Sequence, residues 1–229
     1  MSSVFHGITA GRAFGKPGPF IGSAAAAPPS TLLTGLVSWW KLDEESGVRY
    51  DAVGSNDLTD NNTVGFSTGL VGNAAHTIDG NAEGLTASIT MDPSSYTFAG
   101  WVKMPNAEGN GIPFDITGVF YTWPSIGQVY VFAAPGGLLG TPPPADGAWH
   151  LLTVWQDGTT SGVQLDDGAP ATDTRTPVAS GTKNLLFPNK SFDLTCDIDE
   201  IGIWNRPLSA SERAALYAAG AGRYYDFQV

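Results

Sequence analysis

The sequence predicts an all-β chain: a two-sheet antiparallel sandwich with one short helix near the C-terminus and an extended arm at the N-terminus. Three observations predict it. From Gly35 onward, short apolar runs alternate with turns rich in Gly, Asn, Asp and Pro. A single late helix start, Ser209 followed by Glu212, has the spacing of a capping box, and Gly220 closes that helix after about three turns. Residues 1–34 hold no regular run, because Gly7, Gly11, Gly15, Gly18 and Gly22 alternate with Pro17, Pro19, Pro28 and Pro29.

The arm is nevertheless rich in large apolar residues: Val4, Phe5, Ile8, Phe14, Phe20 and Ile21. A solvated linker has no use for these. Residues 1–34 are therefore expected to anchor the chain to a partner, with Phe5, Arg12, Phe14 and Phe20 as the contacts. The stretch does not read as a signal peptide, since Gly and Pro break its apolar part and its basic residues lie too far in. Charge separates arm from body: the total of −11 divides into +2 on the arm and −13 on residues 35–229.

The body opens on Leu36-Val-Ser-Trp-Trp-Lys-Leu42, a strand whose alternation places Leu36, Ser38, Trp40 and Leu42 on one face. Asp51 to Leu58 is a turn-rich loop. Tyr96–Val102 and Gly147–Val154 read as further strands, and Val163-Gln-Leu165 runs into an Asp-Gly turn. Tyr121-Thr-Trp-Pro-Ser-Ile-Gly127 reads as a hairpin tip carrying Trp123 between Val119 and Val129. Asp197 to Trp204 is the closing strand. Strict alternation puts Asp199, Ile201 and Ile203 on its apolar side and Glu200, Gly202 and Trp204 on the other. Pro207, lacking an N–H, ends it.

Composition excludes several function classes. An acidic chain is a poor match for a nucleic-acid partner, which wants a basic patch. No apolar run reaches the ~18 residues that span a membrane. The one cysteine, Cys196, rules out an intrachain disulfide. His6, His76 and His150 have no Cys or carboxylate at zinc-ligand spacing, and His150 reads as a packed sheet residue. Gly65-Phe-Ser-Thr-Gly69 has the pattern of a nucleophile elbow, but a loop-like stretch follows it where a helix is needed, so Ser67 reads as a turn serine. Aromatic side chains that stack on sugar faces are the useful binding signal: Trp123 with Tyr121 is the candidate ligand site, with Trp39 and Trp155 as further exposed rings. The sequons Asn61-Asn-Thr63 and Asn189-Lys-Ser191 matter only in a secreted chain.

The wording "DIDEIGIWNRPLSASERAALY" resembles the closing strand and helix of laminin-G-like domains of the concanavalin A-like lectin/glucanase superfamily. Earlier blocks resemble the same family in order: Leu36-Val-Ser-Trp-Trp-Lys-Leu-Asp-Glu-Glu-Ser-Gly47, Gly69-Leu-Val-Gly-Asn-Ala74, Asp79-Gly80, Phe98–Val102, Gly147-Ala-Trp-His150 and Leu165-Asp-Asp-Gly168. The resemblance runs from Gly35 to Gly220 and leaves out the arm. It implies a two-sheet jelly roll of a kind that mostly binds glycans, proteins or surfaces without chemistry.

Glucanase relatives carry their carboxylates as E-x-D-x-E on one strand. Here Asp197 and Asp199 align with the first two positions while Ile201 stands at the third, so no catalytic residue is assigned and the chain is expected not to be an enzyme. The resemblance also implies one structural calcium ion between acidic loops, with Asp51 and Asp199 as its ligands. Asp43, Glu44, Glu45, Asp57 and Asp60 crowd the same region; the alternative is a solvated acidic loop with Asp199 satisfied by backbone amides. Arm and body together are expected to make a virion surface protein, a bacteriophage capsid decoration or tail-appendage subunit that assembles through residues 1–34, as a homo-oligomer or particle component, and binds glycans with its jelly roll. The alternatives are a secreted or cell-surface carbohydrate-binding module and a glycoside hydrolase.

Overall fold

The computed structural model describes residues 31–105, 111–124, 128–131, 137–138, 140, 143–192, 194–225 and 227. The expected arm contacts Phe5, Arg12, Phe14 and Phe20 lie outside the described residues. In chain order the strands are β1 (Leu36–Trp40), β2 (Thr59–Asn61), β3 (Gly65–Thr68), β4 (Asn73–Thr77), β5 (Gly84–Met91), β6 (Ser95–Lys103), β7 (Asp115–Ile116) and β8 (Phe120–Trp123). They continue as β9 (Gln128–Val131), β10 (Gly137–Leu138), β11 (Trp149–Asp157), β12 (Thr160–Leu165), β13 (Ala171–Thr174), β14 (Gly181–Phe187) and β15 (Cys196–Trp204), followed by the helix α1 (Ala210–Tyr217).

Two antiparallel sheets form, as expected. The first has the order β13-β12-β11-β6-β15-β4-β3, with β1 also paired to β15. The second has the order β10-β9-β8-β7-β14-β5-β2. Alternate residues of both meet in one interior, where Phe98, Val102 and Ile198 of the first sheet face Phe114, Phe120, Leu185 and Phe187. Phe98 lies 5.0 Å from both Phe114 and Phe120 and 5.6 Å from Phe187, so one ring joins the two layers. No helix among the described residues is long and apolar enough to cross a membrane.

The outer face of the first sheet is covered by the chain's own ends. Trp39, Ala99, Trp101, Leu151 and Trp204 pack there against Leu208, Leu216, Phe227 and Leu32. Helix α1 starts as the capping box requires: the Glu212 amide donates to Ser209 Oγ and the Ser209 amide to Glu212 Oε2. It is shorter than expected, because Ala218 already takes a left-handed C-cap conformation (φ 47°) and a 3-10 turn, Ala218–Gly220, follows.

Leu32, within the stretch read as arm, packs against the body. Its side chain is 1% exposed, and its carbonyl accepts the Trp204 indole N–H at 2.7 Å. Arg206 donates to the carbonyls of Thr31 and Thr34 and pairs with Glu212 at 2.7 Å, tying this root to the start of α1. Burial of a leucine among rings makes it part of the fold. Leu32→Ala is expected to cost about 3 kcal/mol in urea unfolding. A chain beginning at Gly35 should lose at least as much, while one beginning at Thr31 should match the full chain.

Candidate functional site

Among the described residues, no such layer covers the outer face of the second sheet. Across its strands one row of directly paired residues runs Thr59, Thr86, Leu186, Asp115, Tyr121 and Tyr130. The neighbours of these residues along each strand, such as Leu85, Leu185, Ile116, Phe120 and Val129, point into the core. Trp123 therefore shares the outer face with Tyr121, two residues before it. The hairpin expected here is present, but Trp123 is the last residue of β8, paired with Gln128, rather than the tip.

These rings form a cluster. Tyr121 stacks on Tyr130 with centroids 4.8 Å apart and planes at 21°. Trp123 lies 5.9 Å from Tyr121 and 5.8 Å from Phe192, whose side chain is 40% exposed. Trp123 Nε1 is buried and has no hydrogen-bond partner among the described residues. Beside the rings, Asp115 accepts from Asn189 Nδ2 at 2.7 Å. Burial pushes its carboxyl up to about 6, against the opposing bond from Asn189. At the other end of the row a cavity of about 520 Å³ opens between Ser55-Asn-Asp57 and the side chains of Thr59, Thr86, Ser88 and Asn184. The residues missed in the sequence are Tyr130, Asp115, Asn189 and Phe192. Only Tyr130 had a signal, being placed opposite Tyr121 by the hairpin register.

The two other aromatic candidates are not exposed. Trp39 is 1% exposed and Trp155 6%, because α1 and the chain ends form a layer over the first sheet. The Arg213 guanidinium lies 4.0 Å over the Trp155 ring. Ser67 is a strand residue of β3 and not a turn serine. Its hydroxyl donates to Asp197 Oδ1 at 2.7 Å, and the same oxygen lies 2.7 Å from His76 Nδ1. A nucleophilic triad needs the histidine between serine and acid; here the acid stands between them. Lys103 completes the surroundings of Asp197 at 2.6 Å. Burial would raise the Asp197 carboxyl, but the bonds from Lys103, Ser67 and His76 outweigh it and hold the carboxyl below its ordinary value. His150 is held in the sheet between Asp166 and Asp146.

Asp51 and Asp199 have no hydrogen-bond partner in common. Asp51 Oδ1 accepts from the amides of Trp39 and Val53, and its Oδ2 from the amide of Asn56. Burial alone would raise this carboxyl, yet the loop amides leave it below the ordinary value. Asp43, Glu44, Asp57 and Asp60 accept backbone amides in the same way, around a fully buried Arg49. Asp199 Oδ2 accepts from Leu70 and Val71, as the amide alternative expected, while its Oδ1 is buried without a partner. Among the described residues no group of three or more His, Cys, Asp or Glu side chains is placed to hold a metal ion. This donor set does not fit a calcium ion shared by Asp51 and Asp199.

Asp199 also departs from the expected face. A β-bulge between Asp199 and Gly202, with Glu200 at φ 46°, puts two residues of β15 opposite Gly100 alone. Ile198, Ile201 and Ile203 face the core, and Asp199 shares the outer side with its partner Trp101. The bulge sits where β15 changes partner from β4 to β1, so no strand pairs with that edge. Trp39 Nε1 fills part of the gap by donating to Glu200 Oε2 at 2.5 Å. Burial pushes Asp199 up to about 7, opposed by the Val71 and Leu70 amides. Burial and then the neighbouring Asp199 push Glu200 up to about 8.

By sequence, no family model and no curated protein matches the chain. By structure it is similar to Trypanosoma rangeli sialidase, with a TM-score of 0.63 and 15% identity over 89% of this chain and 36% of that one. It is similar to the binding domain of Paraclostridial Mosquitocidal Protein 1, at 0.67 and 12% over 81% and 52%. It is also similar to domain 4 of AbnA, a GH43 extracellular arabinanase from Geobacillus stearothermophilus solved with arabinotriose, at 0.58 and 16% over 78% and 96%. The chain thus spans 36% of the sialidase and 52% of the toxin domain. Likeness at these identities is likeness of fold, a β-sandwich, and a fold does not fix a function.

The buried acid pair gives a pH dependence. Unfolded, both carboxyls titrate near pH ~4; folded, they keep their protons to about 7 and 8. Between those limits the folded state binds more protons, so their contribution to stability falls as pH rises. Asp199→Asn, which keeps an acceptor for the Leu70 and Val71 amides, should weaken that fall and be more stable than the parent at pH ~8, on the order of 2 kcal/mol. Urea unfolding at pH 5 and 8 measures it; equal slopes in both proteins would contradict the assignment.

Proposed function

We propose that the chain is a non-enzymatic, laminin-G-like carbohydrate-binding domain whose sugar site is the outer face of the second sheet. The observation that carries this is the ring cluster Tyr121, Trp123, Tyr130 and Phe192 on a sheet face that no described residue of the chain ends covers. Aromatic faces pack on the C–H faces of sugars, and the Asp115–Asn189 pair lies beside them. The similarity to an arabinanase domain solved with arabinotriose supports the reading. A retaining glycosidase needs two carboxyls about 5–5.5 Å apart on one face. Asp115 instead has an amide, Asn189, as its hydrogen-bond partner, and Asp197 is engaged by Lys103, Ser67 and His76.

Display on a particle is a second reading of the same chain. The root of the arm, at Leu32, packs on the outer face of the first sheet, so an arm bound to a virion would turn the ring-bearing face outward. Capsid decoration or a tail appendage suits that geometry, and a secreted module tethered at a cell surface uses it equally well.

The body from Thr31 onward is expected to bind a subset of a broad glycan array. Trp123→Ala should weaken that binding on the order of tenfold or more while leaving the circular dichroism unchanged. A flat response across the array would overturn the reading. Removal of residues 1–30 should abolish particle association and leave glycan binding intact.

A further inference from the structure

The cavity at the far end of the row is built from a chemistry different from the ring cluster. Among the described residues it is lined by Ser55, Thr59, Thr86 and Ser88, which carry hydroxyls, by Asn56 and Asn184, which carry amides, by Ala87 and Leu186, and by Asp57 as the one ionisable residue, with no lysine or arginine. The wall is pre-arranged. Ser88 Oγ donates to Asn184 Oδ1 at 3.2 Å, Thr86 Oγ1 accepts from Asn61 Nδ2 at 3.0 Å, and Asp57 Oδ1 accepts the Asp51 amide at 2.8 Å. With its oxygen accepting from Ser88, the Asn184 amide still has its N–H donors without an acceptor among the described residues.

The cavity and the rings lie on one continuous row. Thr86 pairs with Leu186, Leu186 with Asp115, and Asp115 with Tyr121. Leu186, half-buried, lines the cavity and offers an apolar surface between its two ends. From β2 to β9 the row crosses five strand spacings, roughly 24 Å at about 4.8 Å each. A single sugar cannot touch both ends.

We infer that the outer face of the second sheet takes a linear, uncharged oligosaccharide lying across the strands, with the Thr59–Thr86–Ser88–Asn184 cavity reading the hydroxyls of one end and Trp123 and Tyr121 stacking on the other. This rests on the carbohydrate-binding reading above and adds the ligand's charge, length and direction to it. Hydroxyl-and-amide walls match the donors and acceptors of neutral sugars. A carboxylate or sulfate in the cavity would meet Asp57 with no cation among the described lining residues, in a chain of net charge −11. Lys190 is not one of the lining residues; its Nζ is held by Asn61 Oδ1, to which it donates at 3.3 Å.

The test is calorimetric titration of the intact chain with neutral arabino-, xylo- and cello-oligosaccharides from mono- to hexasaccharide, and with a sialylated and a uronate-containing oligosaccharide. Affinity for one neutral series should climb with length and then level off, and the acidic sugars should not bind. Asn184→Ala and Ser88→Ala, both on exposed positions, should weaken the long ligand roughly tenfold and leave a short ligand that still needs Trp123 unchanged. Three results would overturn the inference while the broader reading stood: preference for an acidic sugar, length-independent affinity, or Trp123-dependent binding indifferent to Asn184 and Ser88. Absence of any Trp123-dependent sugar binding would overturn both.

Discussion

Burial of β15 on both faces is the constraint on which the rest of the structure depends. All nine of its residues are buried, on one side by the sandwich interior and on the other by rings and the chain ends. A strand covered twice needs narrow points. At Gly202 a Cβ would come within 2.6 Å of the Trp39 ring and 2.7 Å of Trp204, so only glycine lets the two indoles close over the strand. The indole N–H groups then need acceptors in a dry layer, and they find the Leu32 carbonyl and the Glu200 carboxyl. The root of the arm, the bulge and the closing helix all follow from covering this one strand.

Local period made much of the fold legible: the strand at Leu36, the hairpin around Trp123 and the capping box at Ser209 are each written in a few neighbouring residues. Phase along a strand was harder to read. Glu200 adopts a left-handed conformation that favours glycine, so nothing in the wording Asp-Ile-Asp-Glu-Ile-Gly marks the inserted residue. A second register shift between Leu36 and Ser38 likewise turns Leu36 to the outer layer while Trp40 stays in the core. Leu32 looked like tail because its partner, Trp204, is 172 residues away. At the site, alternation along the hairpin revealed Tyr121 and Trp123, whereas Asp115, Asn189 and Phe192 reach the rings only through pairing of β7 with β8 and the fold of the loop after β14. Alternation also gave the faces of Trp39 and Trp155 without saying that a further layer covers them.

The acidity of the chain has a local use. Carboxylates of Asp51, Asp57 and Asp60 accept amides of Val53, Asn56, Asp51 and Val64, and thereby hold irregular backbone in place of a ladder. Arg49 lies among them, its guanidinium donating to the carbonyls of Gly47 and Val64 and lowered by burial against the pull of Asp60 and Glu44. The loop beside the polar cavity is therefore held by its own side chains, with Asn56 and Asp57 both bonded to Asp51.

Leu32 and Phe227 belong to the same outer cluster, so the folded body receives its chain and releases it on one side. That gives the domain a back and a front independent of which end is tethered. Copies strung head to tail would be joined behind, like tiles on a common backing, and the proposed site on each front would recur at a spacing set by the joins. For a weak site on each front, such an array converts successive contacts into intramolecular ones, and the gain depends on the spacing of the tiles rather than on any new bond.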